Sequence, residues 1–512
     1  MLYRHKPGSY FVLIFLTTLI AGSCSAPTAK NEQALYSTHC GSCHLSPNIE
    51  DLPKGIWSNN ILPDMAARMG IRENGYNPLK GFSFDEMEAA IKTEIYSPTP
   101  SITEEDWIRL REYILMKAPD SLSQPPAPAY TSLSDFVEKP MALDSIQGSK
   151  NITYLNYREE TNNLITADLR GDVLQYDFNS NTGQHLGNFI NPVIGYSETP
   201  LGTYVTSIGQ LSPTQIPTGR LYLKGDDSFK PVAGFLHRPV HMLVEDLDKD
   251  GDEEVVVSEF GDLVGQLSLL VKKEGQEFNK QILLNQPGSI RVISRDMNGD
   301  ERTDLVVLTA QGDEGIIILY QEAPLQFRAE RVLRFSPVYG TSWFDLMDYD
   351  GDGDEDIITV NGDNADKSYV HKPYHGFRIH LNKGQNKFEE AFFYPLHGAT
   401  RVLGRDFDQD GDMDFCLVAT FPDYDKKPYL PFVYLKNENS TEFKFSSQIL
   451  QRPSLGRWLL LEAGDIDKDG DEDVVLSSFN YVFTPVPDSL NRAWNQDGTD
   501  LLILENKLTE NE

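Results

Sequence analysis

Short apolar runs recur through the last part of the 512-residue chain, each bounded by charged and glycine-rich stretches: EVVVS at 254–258, DLVVLT at 304–309, DIITV at 356–360, DFCLVAT at 414–420 and DVVLSS at 473–478. Each follows a second short run, as in HMLVE, RVISR and WLLLE. Runs this short, rich in β-branched residues and closed by turn formers, predict buried strands that pair as neighbours. The N-terminal region has another pattern. Helices are predicted over 32–39, 84–95 and 104–116, the second opened by Ser83 with Glu86 and the third by Thr103 with Asp106, the spacing of a helix cap. The chain therefore divides into a small all-α part and a longer all-β part.

An acidic string separates the two strands of each pair. In DYDGDGDED (348–356) the carboxylates Asp348, Asp350, Asp352 and Asp356 occupy loop positions one, three, five and nine, and Gly353 permits the sharp turn. The same string recurs at Asp246, Asp248, Asp250 and Glu254; at Asp296, Asn298, Asp300 and Asp304; at Asp406, Asp408, Asp410 and Asp414; and at Asp465, Asp467, Asp469 and Asp473. Alternate side chains of a tight loop converge on one point, and a hard divalent cation takes about six to eight oxygens. An EF-hand is excluded, because it needs a helix on each side and a glutamate at loop position twelve. The first aspartates lie 50, 52, 58 and 59 residues apart, a period that fits the blades of a propeller and not helical solenoids.

On these five loops the chain resembles the FG-GAP, or VCBS, repeats of integrin-type β-propellers over residues 136–512. The resemblance implies a calcium ion in each loop, up to five in all. Two further stretches, 163–178 and 203–227, look like blades without the loop, which makes seven. Outer strands begin with phenylalanine, as in FNKQILL, FRAERVL, FEEAFFY and FKFSSQI, but the last blade ends at LLILENK without one. The segment FVEK at 136–139 supplies it, and this N-terminal strand is predicted to close the ring and remove its open edges.

Charge and the N-terminus set the compartment. With 45 basic against 77 acidic residues the net charge is −32, which argues against nucleic acid or an anionic membrane surface as partner. Residues 1–23 read as an export signal, with Arg4 and Lys6 before an apolar stretch at 10–20 too short to span a bilayer. Ala21-Gly22-Ser23-Cys24 resembles a bacterial lipobox, in which Cys24 becomes acylated, although leucine is usual where Ala21 stands; plain secretion is the alternative. A periplasmic, outer-membrane or cell-surface lipoprotein is expected, monomeric, with a short tether at 24–30 and no membrane contact beyond the lipid.

Cys40-Gly41-Ser42-Cys43-His44 is a CxxCH string, in which two thiols bond to haem vinyl groups and the histidine reaches the iron. A zinc site would need a second ligand pair, and no Cys or His follows His44 until His185; a Cys40–Cys43 disulfide remains the simpler alternative. Residues 31–118 resemble a class I cytochrome c domain, implying covalent haem c. That family places a methionine before the last helix, but the loop at 96–101 has none. Met65 is the first candidate for the sixth iron ligand, with Met69 next and Met87 behind, although methionines four apart also suit a helix core. A Pro- and Ser-rich linker is expected at 119–135.

In a propeller, equivalent residues of successive blades ring one axis. Five residues before each acidic loop stand His241, Arg291, Trp343, Arg401 and Leu460; nine before stand His237, Pro287, Tyr339, His397 and Gly456. Both registers are expected on the same side of the inner strand, building an axial funnel from His237, His241, Arg291, Tyr339, Trp343, His397 and Arg401. Such a funnel suits a small anionic or carbohydrate ligand. Insertions at 361–376, with His371 and His375, and at 422–431 are expected on one face; the two histidines read as solvated, and Cys416 as a buried apolar residue. The function expected is electron transfer with a redox partner protein or a small substrate, including a haem-dependent oxidoreductase. The alternatives are a surface binding or adhesion propeller with an accessory haem, and a propeller lyase or dehydratase acting on sugars.

Overall fold

Hairpins that are apolar on both faces must be covered on both, and a ring of sheets stacked face to face does this without helices. The computed structural model describes residues 31–509 apart from 74, 144–150, 226–227, 274–277, 365–367 and 483. The export signal and Cys24 lie outside the described residues. Seven antiparallel sheets follow one another as blades: 152–188, 193–236, 239–284, 289–334, 341–395, 399–449, and a seventh of 458–506 completed by Phe136–Met141. The first strand of each blade packs against the first strand of the next, and Trp458–Gly464 of blade seven against Ile152–Arg158 of blade one, so the ring closes. Second strands such as Asp304–Thr309 and Asp473–Ser478 are buried at every position. Between blades the sheets interdigitate, with Val306 and Leu308 of blade four against Phe344 and Leu346 of blade five.

The closing strand behaves as predicted. Phe136–Met141 pairs antiparallel with Leu501–Asn506, Phe136 opposite Asn506. Phe136 is 1% exposed and meets Phe407 and Tyr434 edge to face, at 5.7 and 5.2 Å between ring centroids. The preceding residues depart from the expected linker. Thr131–Ser132 adds in parallel to Lys444–Ile449, the outer strand of blade six, and the Leu133 amide donates to the Ile449 carbonyl at 2.8 Å. An exposed outer edge leaves backbone groups unpaired, and these residues satisfy some of them while burying Leu133 completely.

Strand direction sorts the loops onto two faces. Each inner strand ends at the face that carries the acidic loops, and the second strand returns to the opposite face. That opposite face carries the long insertions: 208–218, 362–375, 420–431, and 479–500 with the helix Asp488–Asp497. Blades one and two have short turns, 159–162 and 200–201, where the others have the acidic loop.

The N-terminal helices form as Glu32–Cys40, Phe84–Lys92 and Glu104–Lys117, with the caps at Ser83 and Thr103 in place. Between the first two, Lys54–Ile56, Trp57–Ile61 and Leu62–Arg68 make one helical run with a π turn at its centre. Leu35, Tyr36, Trp57, Leu62, Trp107, Leu110 and Ile114 form their core, which Val338 of the propeller joins. The Tyr374 hydroxyl donates to the Asp51 carbonyl at 2.9 Å, and Thr214 to Glu86 at 2.8 Å. Thr214 belongs to blade two and Tyr374 to blade five, across the ring from one another, so the helical part lies over the axis on the insertion face.

Because Phe136 is buried in the joint that closes the ring, Phe136→Ala is expected to cost about 3–5 kcal/mol. Urea denaturation of the full chain, followed by far-ultraviolet circular dichroism, measures it.

Candidate functional site

The five acidic loops share one backbone. At positions four and six φ is positive, between +55° and +100°, whether the residue is glycine or, as at Lys249, Gln409, Lys468 and Glu301, not. This folds the N–H groups of positions five and six back onto the first aspartate, at 3.0–3.2 and 2.8–3.2 Å in all five loops. Position nine braces the loop from beneath. Glu254, Asp304, Asp356 and Asp473 each accept the N–H of position two at 3.0–3.1 Å. Asp304, Asp356, Asp414 and Asp473 also accept an N–H from the third strand at 2.7–2.8 Å. Burial pushes Glu254, Asp414 and Asp473 up to about 7 and raises Asp304 and Asp356.

Four of the loops bring three carboxylates within 4.8 Å of one another: Asp246, Asp248 and Asp250; Asp348, Asp350 and Asp356; Asp406, Asp408 and Asp410; Asp465, Asp467 and Asp469. One carboxylate oxygen each of Asp248 and Asp408 is buried without a hydrogen-bond partner. Blade four differs: Asn298 replaces an acid, and Arg302 lies 2.6 Å from Asp300. In blade six Lys436 lies 2.9 Å from Asp408, so a basic side chain competes there too.

On the axis the structure separates the two registers read from sequence. Every inner strand has a bulge at the same place, between Pro239 and His241, Ser289 and Arg291, Thr341 and Trp343, Ala399 and Arg401, and Trp458 and Leu460. An extra residue reverses side-chain parity, so residues before and after it do not share a face. His241, Arg291, Trp343 and Arg401 come together: Arg291 and Arg401 lie 4.2 and 4.3 Å from the Trp343 ring centroid, and His241 6.4 Å from it. His237, Tyr339 and His397 precede the strands and go elsewhere. The His237 amide donates to Glu259 at 2.6 Å, Tyr339 stacks on Tyr374 at 5.2 Å, and His397 lies 5.4 Å from His371. The expected funnel of seven residues is thus a cluster of four.

Two acids that the sequence reading passed over complete this cluster. Asp345 lies 3.6 Å from Arg291, and burial raises Glu462 to about 7 against the pull of Arg291 and Arg405. Each stands two residues after a register position, in a strand otherwise apolar, which was a usable signal. In blades one and two the bulge aligns Tyr154 and Gly195 with this ring. Protein encloses His241, Arg291, Arg401 and Glu462 on all sides, yet each stays partly accessible to water, the condition of side chains lining a shaft.

His371 and His375 are not on a solvated loop. His375 is 1% exposed, and His371 Nδ1 lies 3.4 Å from Asp423. Among the described residues these histidines, His397 and Asp423 do not gather three donors within 4.8 Å, so the cluster is not a formed metal site. Cys416 is fully buried, as its setting predicted.

In the helical part, Cys40 is half-buried and Cys43 exposed, both as free thiols, and burial pushes the Cys40 thiol up to about 12. His44 Nδ1 pairs with the Leu45 carbonyl at 2.9 Å, which leaves Nε2 for another partner. Met65 and Met69 pack on the same core as Cys40, while Met87 is half-buried on the helix Phe84–Lys92. No described helix is long and apolar enough to cross a membrane.

Residues 296–359 and 406–476 match the FG-GAP-like repeat family, each stretch running from one acidic loop through the next. No curated protein matches the chain. Among solved structures, a luciferin-regenerating enzyme is similar at 9% identity and a TM-score of 0.36, covering 72% of this chain and 95% of that one. The WD40 domain of Neurospora crassa Pan2 is similar at 12% identity and a TM-score of 0.42, covering 74% and 98%. The chain carries FG-GAP-like repeats within a seven-bladed β-propeller.

Proposed function

We propose that this is an exported c-type haem protein for electron transfer, in which a calcium-stabilised propeller holds a substrate or partner beneath the haem domain. The observation that supports the reading is the packing of the CxxCH-bearing helical part on the insertion face, through Tyr374 on Asp51 and Thr214 on Glu86, the face at which the inner strands carrying His241, Arg291, Trp343 and Arg401 begin. The residues fit haem c. The His44 Nδ1 pairing with a backbone carbonyl is the arrangement that orients an axial imidazole. Zinc would need a converging donor set, and among the described residues Cys40, Cys43 and His44 do not bring their donors within 4.8 Å of one another. Cys40 and Cys43 would hold the group, and His44 with Met65 or Met69 would bind its iron. Haem bound there supplies one-electron transfer.

The loops fit calcium through their convergent carboxylates, the unpartnered oxygens of Asp248 and Asp408 and their all-oxygen donor sets. A second reading, a surface binding propeller with an accessory haem, is favoured by the FG-GAP-like repeats themselves.

Visible spectra of protein matured in a host that attaches haem test the redox reading. A reduced c-type spectrum indifferent to carbon monoxide is expected, and it should be lost in Cys43→Ser or His44→Ala while the propeller still folds. Absence of covalent haem in the wild type would overturn the redox reading and leave binding by the propeller alone as the function.

Calcium is tested by melting temperature in calcium and in chelator. The folded values of Glu254, Asp414 and Asp473 are raised to about 7. Without a cation their contribution to stability is whole below about pH 4, the unfolded value, and is lost as pH rises through 7. A bound cation removes that loss, so the gap between the two melting temperatures is expected to widen from pH 5 to pH 8. Each site adds about 2.7 kcal/mol when calcium is a hundredfold above its Kd.

A further inference from the structure

The axial cluster has the chemistry of a narrower ligand class than a funnel of mixed side chains suggests. We infer that Arg401 and His241 grip a small oxyanion, a carboxylate or a sulfate-like group, and that the shaft does not take a neutral sugar. This rests on the reading of the axis as the ligand site.

Besides Tyr154, whose hydroxyl donates to the Tyr196 carbonyl at 2.7 Å, the large aromatic of the ring is Trp343, whose indole face would be the platform for a sugar. That face is occupied. Arg291 comes from blade four and Arg401 from blade six, the blades on either side of Trp343, and both guanidinium carbons lie within 4.3 Å of the ring centroid. An indole flanked by two guanidinium groups has no open face for a pyranose, whereas its two partners are donors aimed for oxygen.

The two arginines are not equivalent. Arg291 is balanced: Nη2 lies 3.6 Å from Asp345, Nη1 donates to the Phe344 carbonyl, and Glu462 attracts it as well. For Arg401 the recorded hydrogen bond is from Nη1 to the carbonyl of its own neighbour Thr400, at 2.8 Å, and Nε is buried without a partner. The acid that acts on it is Asp363, in the insertion of blade five. His241 Nδ1 is likewise buried without a partner. Burial and the two guanidinium groups hold His241 down to about 3, so at neutral pH it is an uncharged ring with one N–H to donate. An unsatisfied buried polar group is costly, and a guanidinium whose Nε has no partner, on the same indole as a buried imidazole, is satisfied by an acceptor with several oxygens. The surrounding protein is strongly acidic, so the local donors, and not the overall field, select the anion.

The test is calorimetric titration of the full, calcium-loaded chain with three probes: sulfate, acetate and glucose. Saturable binding of sulfate or acetate, with none for glucose, is expected, and whichever anion binds tells a tetrahedral from a carboxylate ligand. Arg401→Gln should weaken that binding at least tenfold, and Arg401→Lys, which keeps the charge and loses the fork, by less. His241→Gln gives a second variant should Arg401→Gln fail to fold. Glucose binding that Arg401→Gln abolishes would overturn the anion while sparing the axial site. Anion binding untouched by both variants, or no binding of any probe, would overturn the inference. The haem spectrum tests the redox reading separately.

Discussion

The last blade of a ring has its outer strand only if chain from the other end supplies it, and here that task falls on Phe136–Met141. The requirement is geometric before it is energetic. Seven blades wedge their apolar faces together, and any gap would expose both a sheet edge and the Val, Leu and Ile faces behind it. Tying the N-terminal strand to Leu501–Asn506 joins residues more than three hundred positions apart, so the inner strands hold a fixed register around the axis. The placement of the axial side chains, the acidic loops and the helical part all follow from that closure.

The same topology separates two kinds of chemistry. Loops between first and second strands emerge on one face, where carboxylates gather over braced turns. Loops between second and third strands emerge on the other, where long insertions and the CxxCH-bearing helices meet the mouth of the shaft. The acidic loops therefore stand apart from the arginines on the axis.

Much of this plan was legible in the chain. The repeated acidic loops carried both the period of the blades and the identity of the strands flanking them, because a carboxylate spacing of one, three, five and nine serves a tight loop and little else. The missing phenylalanine strand of the last blade foretold the closure. The bulge was not legible: nothing in residues such as Val240 or Ser342 marks the extra residue, and without it strand parity wrongly unites His237, Tyr339 and His397 with the axial ring. Asp345 and Glu462 stand out as charges in apolar strands, and the docking of Thr131–Ser132 depends on an edge that only the assembled blade six presents. His371 and His375 looked solvated because burial by the helical part and the Pro-rich segment is a tertiary effect.

Anomalous diffraction from crystals of haem-matured protein grown in calcium is the most direct measurement of the central claim, that one closed propeller separates a redox face from a cation face. An iron peak beside His44 Nε2 on the insertion face is predicted, with calcium peaks inside the acidic loops of the opposite face. Iron absent from His44, or calcium bound on the insertion face with the loops empty, would contradict it.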